Sequence, residues 1–191
     1  MSFCKWTIPL AVMMVVAASL AGCKTVFSAT GTSGSSTARD EPSSGGEISD
    51  FALDDVNGRT HTLGEHLGER VILLSFWATW CEPCKKEMVE LQRLHEAHSD
   101  DGLTIFSISM DEPETRGDAR TFVKQRRFTY PVLLDEESRV TAQFNPRRAA
   151  PYSLLIGRDQ RIVWTHEGYV PGDEEKLERA VLDALAAGGK E

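Results

Sequence analysis

The chain lacks a basic face. Its 21 Lys and Arg are outnumbered by 29 Asp and Glu, giving a net charge of −8 and a pI near 5.2. No stripe of cations recurs at helical spacing, which argues against a surface built to track phosphates. An evenly spread cysteine framework of the kind that staples small secreted domains is also missing. There are four cysteines: Cys4 and Cys23 near the N-terminus, and Cys81 and Cys84 as a Cys-x-x-Cys. With no second Cys pair and five scattered histidines, a four-ligand structural zinc site has too few ligands. His95-Glu96-Ala97-His98 falls one residue short of the zinc-protease pattern His-Glu-x-x-His and reads as a helix surface. No internal repeat is visible. Aromatic content is modest at 8%, but 41% apolar residues exclude a wholly disordered chain.

A long apolar run is absent too. Ile8 to Leu20 extends for roughly 13 residues, short of the ~20 needed to span a hydrocarbon core but right for the core of a signal peptide. It ends in Leu20-Ala21-Gly22-Cys23. That stretch resembles a bacterial lipobox, which implies acylation of Cys23 as the new N-terminus and a hold on the membrane far stronger than one chain provides. Lys24 follows Cys23, and in enteric bacteria a residue other than Asp there leaves a lipoprotein free to reach the outer membrane. Three segments result: 1–22 as a lipoprotein signal peptide, 23–46 as a lipidated N-terminus and Ser/Thr/Gly-rich tether, and 47–191 as the folded domain. A flexible tether of this composition has a typical reach of about 25 Å.

About 145 residues then suffice for one core. Asn57-Gly58 predicts a turn between two short strands near 51–55 and 60–63. Val71-Ile72-Leu73-Leu74-Ser75-Phe76 reads as a strand covered on both faces. Pro83 opens a helix to about His98, with Cys84, Met88, Leu91 and His95 at helical spacing. Further strands are expected at 103–109, 132–134, 152–156 and 161–165, with helices across 117–127 and 138–144. A last helix has Leu177, Val181 and Leu185 on its apolar face. This alternation predicts an α/β architecture with helices on both faces of a sheet.

A Cys-x-x-Cys where a buried strand gives way to a helix has a chemical consequence. Cys81 falls at the helix N-terminus, where free N–H groups and the dipole favour a thiolate, the form that attacks disulfides. Cys81 is expected to be the exposed sulfur, while Cys84 lies one turn deeper and more shielded and suits a resolving role. Pro83 starts the helix without wasting a donor. Glu82, between the cysteines, is expected to oppose the thiolate. Zinc or copper binding and an inert disulfide are the competing readings of the pair.

The stretch Ser75-Phe76-Trp77-Ala78-Thr79-Trp80-Cys81-Glu82-Pro83-Cys84-Lys85-Lys86-Glu87 resembles the TlpA/ResA type of thioredoxin-fold disulfide reductase. So do Tyr130 to Asp135 and Pro151 ahead of Ser153-Leu154-Leu155-Ile156. The resemblance covers residues 48–187. It implies a thioredoxin-like fold with a central mixed sheet, a redox disulfide between Cys81 and Cys84, and a cis-proline at Pro151 whose neighbour Ala150 could pair with a substrate strand. Trp80, Glu82 and Pro83 would support the site.

Ordinary thioredoxins carry a buried Asp six residues before the first cysteine; Ser75 stands there, and the resemblance points to Glu87 as the proton acceptor. Tyr152 replaces the family's usual Thr, and Arg147-Arg148 occupies the preceding loop. The implied activity is an exported, membrane-anchored protein disulfide reductase on the periplasmic or cell-surface side, acting for example in cytochrome c or copper-centre maturation. It would need no cofactor or metal, and would draw electrons from a membrane dithiol. Two alternatives are a peroxiredoxin-like peroxidase and a copper-binding assembly protein like the Sco proteins. Peroxiredoxins place a Thr three residues before the nucleophile, whereas Thr79 is two before Cys81. Sco proteins place three residues between their cysteines and use a distant His, for which His166 is a weak match.

Overall fold

A computed structural model describes residues 48–188. The signal segment, Cys4, Cys23, Lys24 and the tether lie outside the described residues. The chain opens on an antiparallel pair, β1 (Ala52–Asp54) and β2 (Thr60–Thr62). Gly58 takes the turn at φ 83°. The Asp55 carboxylate, accepting the N–H groups of Asn57 and Arg59, closes the same turn.

The main sheet has the order β5-β4-β3-β6-β7, from β3 (Val71–Trp77), β4 (Leu103–Ser109), β5 (Val132–Leu134), β6 (Tyr152–Ile156) and β7 (Ile162–Glu167). β3, β4 and β5 run parallel, while β6 and β7 are antiparallel additions, so the sheet is mixed. β3 lies at the centre and all seven of its residues are buried, which is why it reads as an unbroken apolar run.

Alternation along the strands assigns the two faces. Leu73, Trp77, Ile105 and Leu155 meet α1 (Glu82–His98), α2 (Arg116–Arg126) and α4 (Asp173–Ala187), through Met88, Leu91, Leu94, Val123, Leu177 and Val181. Ile72, Leu74, Phe76, Phe106 and Ile156 meet the β1–β2 pair and α3 (Arg139–Phe144), through Phe51, Leu63, Val140 and Phe144. Helices therefore lie on both faces, three against one, and the opening strand pair helps cover the second. Each fully buried Leu or Ile here contributes roughly 1.5–3 kcal/mol.

Two helix stripes differ in detail from the sequence expectation. On α1 the buried set is Cys84, Glu87, Met88, Leu91 and Leu94, and His95 moves to the edge, where its ring meets Tyr130 edge-on. On α4, Ala184 takes the buried place next to Val181, and Leu185 packs at the margin. Both shifts follow the 3.6-residue period, which drifts round the helix over several turns.

Candidate active site

α1 begins where β3 delivers the chain out of the sheet. Cys81 is the N-cap with extended backbone (φ −93°, ψ 98°), and its sulfur accepts the Cys84 N–H at 3.2 Å. One donor of the first turn is thus spent on sulfur, and Pro83 removes another. The two cysteines are joined as a disulfide, with Cα atoms 5.3 Å apart. The expectation of an exposed Cys81 beside a shielded Cys84 needs correcting: Cys81 is 4% exposed and Cys84 0%. Both sulfurs belong to the core cluster that holds Trp77 and is flanked by Ala150. Around the sulfurs, Trp80 at 69%, Glu82 and Pro83 are the exposed residues.

Glu82 lies open to solvent and bonds Lys85 Nζ at 2.7 Å, which holds its carboxyl below the usual range. Its charge is therefore partly answered by a neighbour instead of bearing wholly on Cys81.

Glu87 is buried one turn behind Cys84 on the same helix face. Ser153 Oγ donates to its Oε1 at 2.8 Å and Ser75 Oγ to its Oε2 at 3.1 Å. Burial pushes the carboxyl up to about 7, against the opposing pull of the Ser153 and Ser75 bonds. The sheet register supplies those hydroxyls, since Ser75 pairs with Ser153 on β6 and with Ser107 on β4, making one polar row on the α1 side. Next in that row, opposite Ser153, comes His166. It stacks on Trp164 and sits 3.1 Å from Asp173, whose carboxyl is held well below its ordinary range by Lys176 and the Val170 N–H.

The Ala150–Pro151 peptide is cis. The Pro151 carbonyl accepts the Gly168 N–H at 2.9 Å, so this corner is anchored to the chain leaving β7. The next residue, Tyr152, packs its ring against Phe76.

Two clamps around the site escaped the sequence reading. Asp111, buried just past β4, accepts the Thr79 N–H at 3.1 Å, the Thr79 hydroxyl at 2.5 Å and the Ser109 hydroxyl at 2.9 Å. It pins the loop that carries Trp80 and Cys81. The Thr79 hydroxyl is thereby committed to a carboxylate. Asn145, also buried, bonds the Ala149 backbone twice: Oδ1 accepts its N–H at 3.0 Å and Nδ2 donates to its carbonyl at 2.8 Å. The available signal was positional, a lone Asp two residues beyond a buried strand and an Asn before Pro-Arg-Arg.

A disulfide capping the first long helix of this mixed sheet, opposite a cis-proline corner, defines a thioredoxin-fold protein. The chain belongs to the AhpC/TSA family, whose model matches residues 44–165. Thiol-disulfide oxidoreductase ResA of Bacillus cereus is 32% identical over 119 residues, which are 62% of this chain and 66% of that protein. The match thus spans slightly less than two thirds of the relative's length. Thiol-disulfide oxidoreductase ResA of Geobacillus thermodenitrificans is 31% identical over 118 residues, 62% of this chain and 66% of its own. Among solved structures, a candidate thiol:disulfide interchange protein DsbE from Chlorobium tepidum superposes with a TM-score of 0.66 at 30% identity. That superposition covers 74% of this chain and 97% of the other.

Proposed function

We propose that the chain is a thiol–disulfide oxidoreductase that reduces disulfides in partner proteins. The observation that carries the reading is a helix-capping Cys81–Cys84 disulfide with a buried carboxyl one turn behind the inner sulfur. In the reduced form, the Cys81 thiolate attacks one sulfur of a partner disulfide. The partner's S–S bond breaks, its other sulfur leaves as a thiolate, and a Cys81–partner mixed disulfide forms. Cys84 then gives its proton to Glu87 and attacks the Cys81 sulfur. The second partner thiolate leaves, and the Cys81–Cys84 disulfide closes. Two electrons have passed to the partner, and an external dithiol must return them.

Glu87 suits the acceptor role because a carboxyl near 7 can take and lose a proton at neutral pH. Trp80 and Ala150 line the approach, and Pro83 and Glu82 set the helix start. By the likeness to ResA proteins, we place the activity on the extracytoplasmic side, with the lipobox-like Cys23 as membrane anchor and a membrane dithiol as electron donor. Cytochrome c or copper-centre maturation is a fitting setting.

The test is direct. Cys81→Ser should abolish dithiol-coupled insulin reduction, and Cys84→Ser should accumulate partners covalently joined through Cys81, identified by mass spectrometry after non-reducing separation. Activity retained by Cys81→Ser would overturn the assignment. Rapid peroxide consumption by the purified domain would favour the peroxidase alternative, although the Thr79 hydroxyl is held by Asp111.

A further inference from the structure

The loop between α3 and β6 carries Arg147 and Arg148 just before Ala149, Ala150 and the cis-proline. Its shape is held from within. Asn145 bonds Ala149 on both sides of the backbone, and the Arg148 N–H donates to the Asn145 carbonyl at 2.8 Å. Arg148 takes a left-handed φ of 52°, which an Arg adopts at a cost. The loop is therefore a fixed mount whose two side chains play no part in holding it.

That sets these residues apart from the arginines that do build the fold. Arg70 donates to the carbonyls of Ser99 and Leu103, Arg120 to that of Val56, and Arg158 to those of Glu69, Asp101 and Leu185. The Arg147 side chain, in contrast, is 80% exposed and pairs with the exposed Glu167 at 3.1 Å. Arg148 is half-exposed and 3.9 Å from the exposed Glu112. Such open pairs add little to stability and exchange readily. The two guanidiniums diverge, one toward the end of β7 and the other toward the loop after β4. Glu112 adjoins Asp111, which holds Thr79 of the loop leading to Trp80 and Cys81, and Ala150, two residues after Arg148, packs against the cluster that holds both sulfurs.

Resting on the oxidoreductase reading, we propose that Arg147 and Arg148 select partner disulfides flanked by acidic residues. The partner's carboxylates replace Glu167 and Glu112 on the guanidiniums, and Trp80 covers the apolar side of the same segment. A planar guanidinium can take an incoming carboxylate in two bonds where Glu167 makes one. Attraction of this kind acts on encounter and weakens with salt. The carboxylates of Glu82, Glu112 and Glu167 face the same rim, but each already has a cation: Lys85, Arg148 and Arg147 respectively.

The experiment uses the full chain in its reduced form and three synthetic peptides. Each holds one intramolecular disulfide and differs only in flanks of Asp and Glu, of Ser, or of Lys. Oxidation of the protein is followed by stopped flow at low and at physiological salt. We expect the acidic peptide to react about ten-fold faster than the basic one at low salt, with the ratio shrinking as salt rises. The double variant R147E/R148E should invert the acidic-to-basic ratio, and R147K/R148K should keep its direction. Because each protein is its own control, the ratio stands apart from any general loss of rate. Equal rates in the wild type, or an acidic preference that survives R147E/R148E, would overturn the proposal alone. Failure to oxidise the protein with any of the three peptides would bring down the parent reading as well.

Discussion

The two sides of the disulfide are built on opposite terms. On the inner side, Glu87 sits among Ser75 and Ser153 with both carboxylate oxygens bonded, and Asp111 gathers the donors of the preceding loop. On the outer side, Trp80, Arg147 and Arg148 stand in solvent with partners they can give up. The difference teaches where each property of the site is stored. Proton handling and sulfur placement depend on buried groups with no water to replace a lost partner. Partner choice can be revised on the rim with little penalty to the fold.

The comparison breaks hardest at Asp111. Asp111→Ala strands the Thr79 N–H and the hydroxyls of Thr79 and Ser109, and should cost about 3–4 kcal/mol of unfolding free energy in urea titration. It should also slow reaction at Cys81, because the loop loses its anchor.

Glu87 gives the next effect, and its sign is set by the raised carboxyl. Between the unfolded value near 4.5 and the native value of about 7, the folded chain keeps a proton that the unfolded chain has lost. Its contribution is full below pH 4.5 and is lost as pH rises through 7, a decline on the order of 3 kcal/mol. Glu87→Gln should flatten that part of the stability profile in denaturation series from pH 4 to 9. The same variant should erase the rise in mixed-disulfide resolution rate through pH 7.

Asn145→Ala should cost about 1–2 kcal/mol, by releasing both bonds to Ala149, and should blur the acidic preference of the rim. At the small end, Arg147→Ser should move the urea midpoint by less than about 0.5 kcal/mol equivalent. A larger loss there would erase the contrast between the two sides.

Much of this was legible before any coordinates. The central strands announce themselves as apolar runs because they are covered on both faces, and β4, β5 and β6 begin and end where the residue pattern puts them. The placement of Cys81 at a helix start followed from the Cys-x-x-Cys after β3, whereas the thioredoxin-like fold came with the family likeness of that stretch. Glu87 could be singled out only through family likeness, since nothing local distinguishes it from Glu82 or Glu90. Its burial depends on Ser75 and Ser153, distant in sequence and joined by strand register. Asp111 stayed hidden for the same reason: it meets Thr79 because the parallel pairing sets Trp77 beside Ser109. The near-closure of both sulfurs was equally out of reach, as it comes from packing around Trp77 and Ala150 contributed by separate segments.

The serine row under α1 carries a consequence for how this chain can change. Ser75 faces Glu87 only because it lies two positions along the strand from Leu73, on the same face, and one from Leu74, on the other. Substitution along β3 alters what the helix rests on, but inserting or deleting one residue ahead of Ser75 would turn the hydroxyl toward α3 and slide Leu74 or Phe76, respectively, beneath the carboxyl. The length of that strand is thus under tighter constraint than its spelling, and the acid–base behaviour of the thiol pair is inherited from a matter of parity.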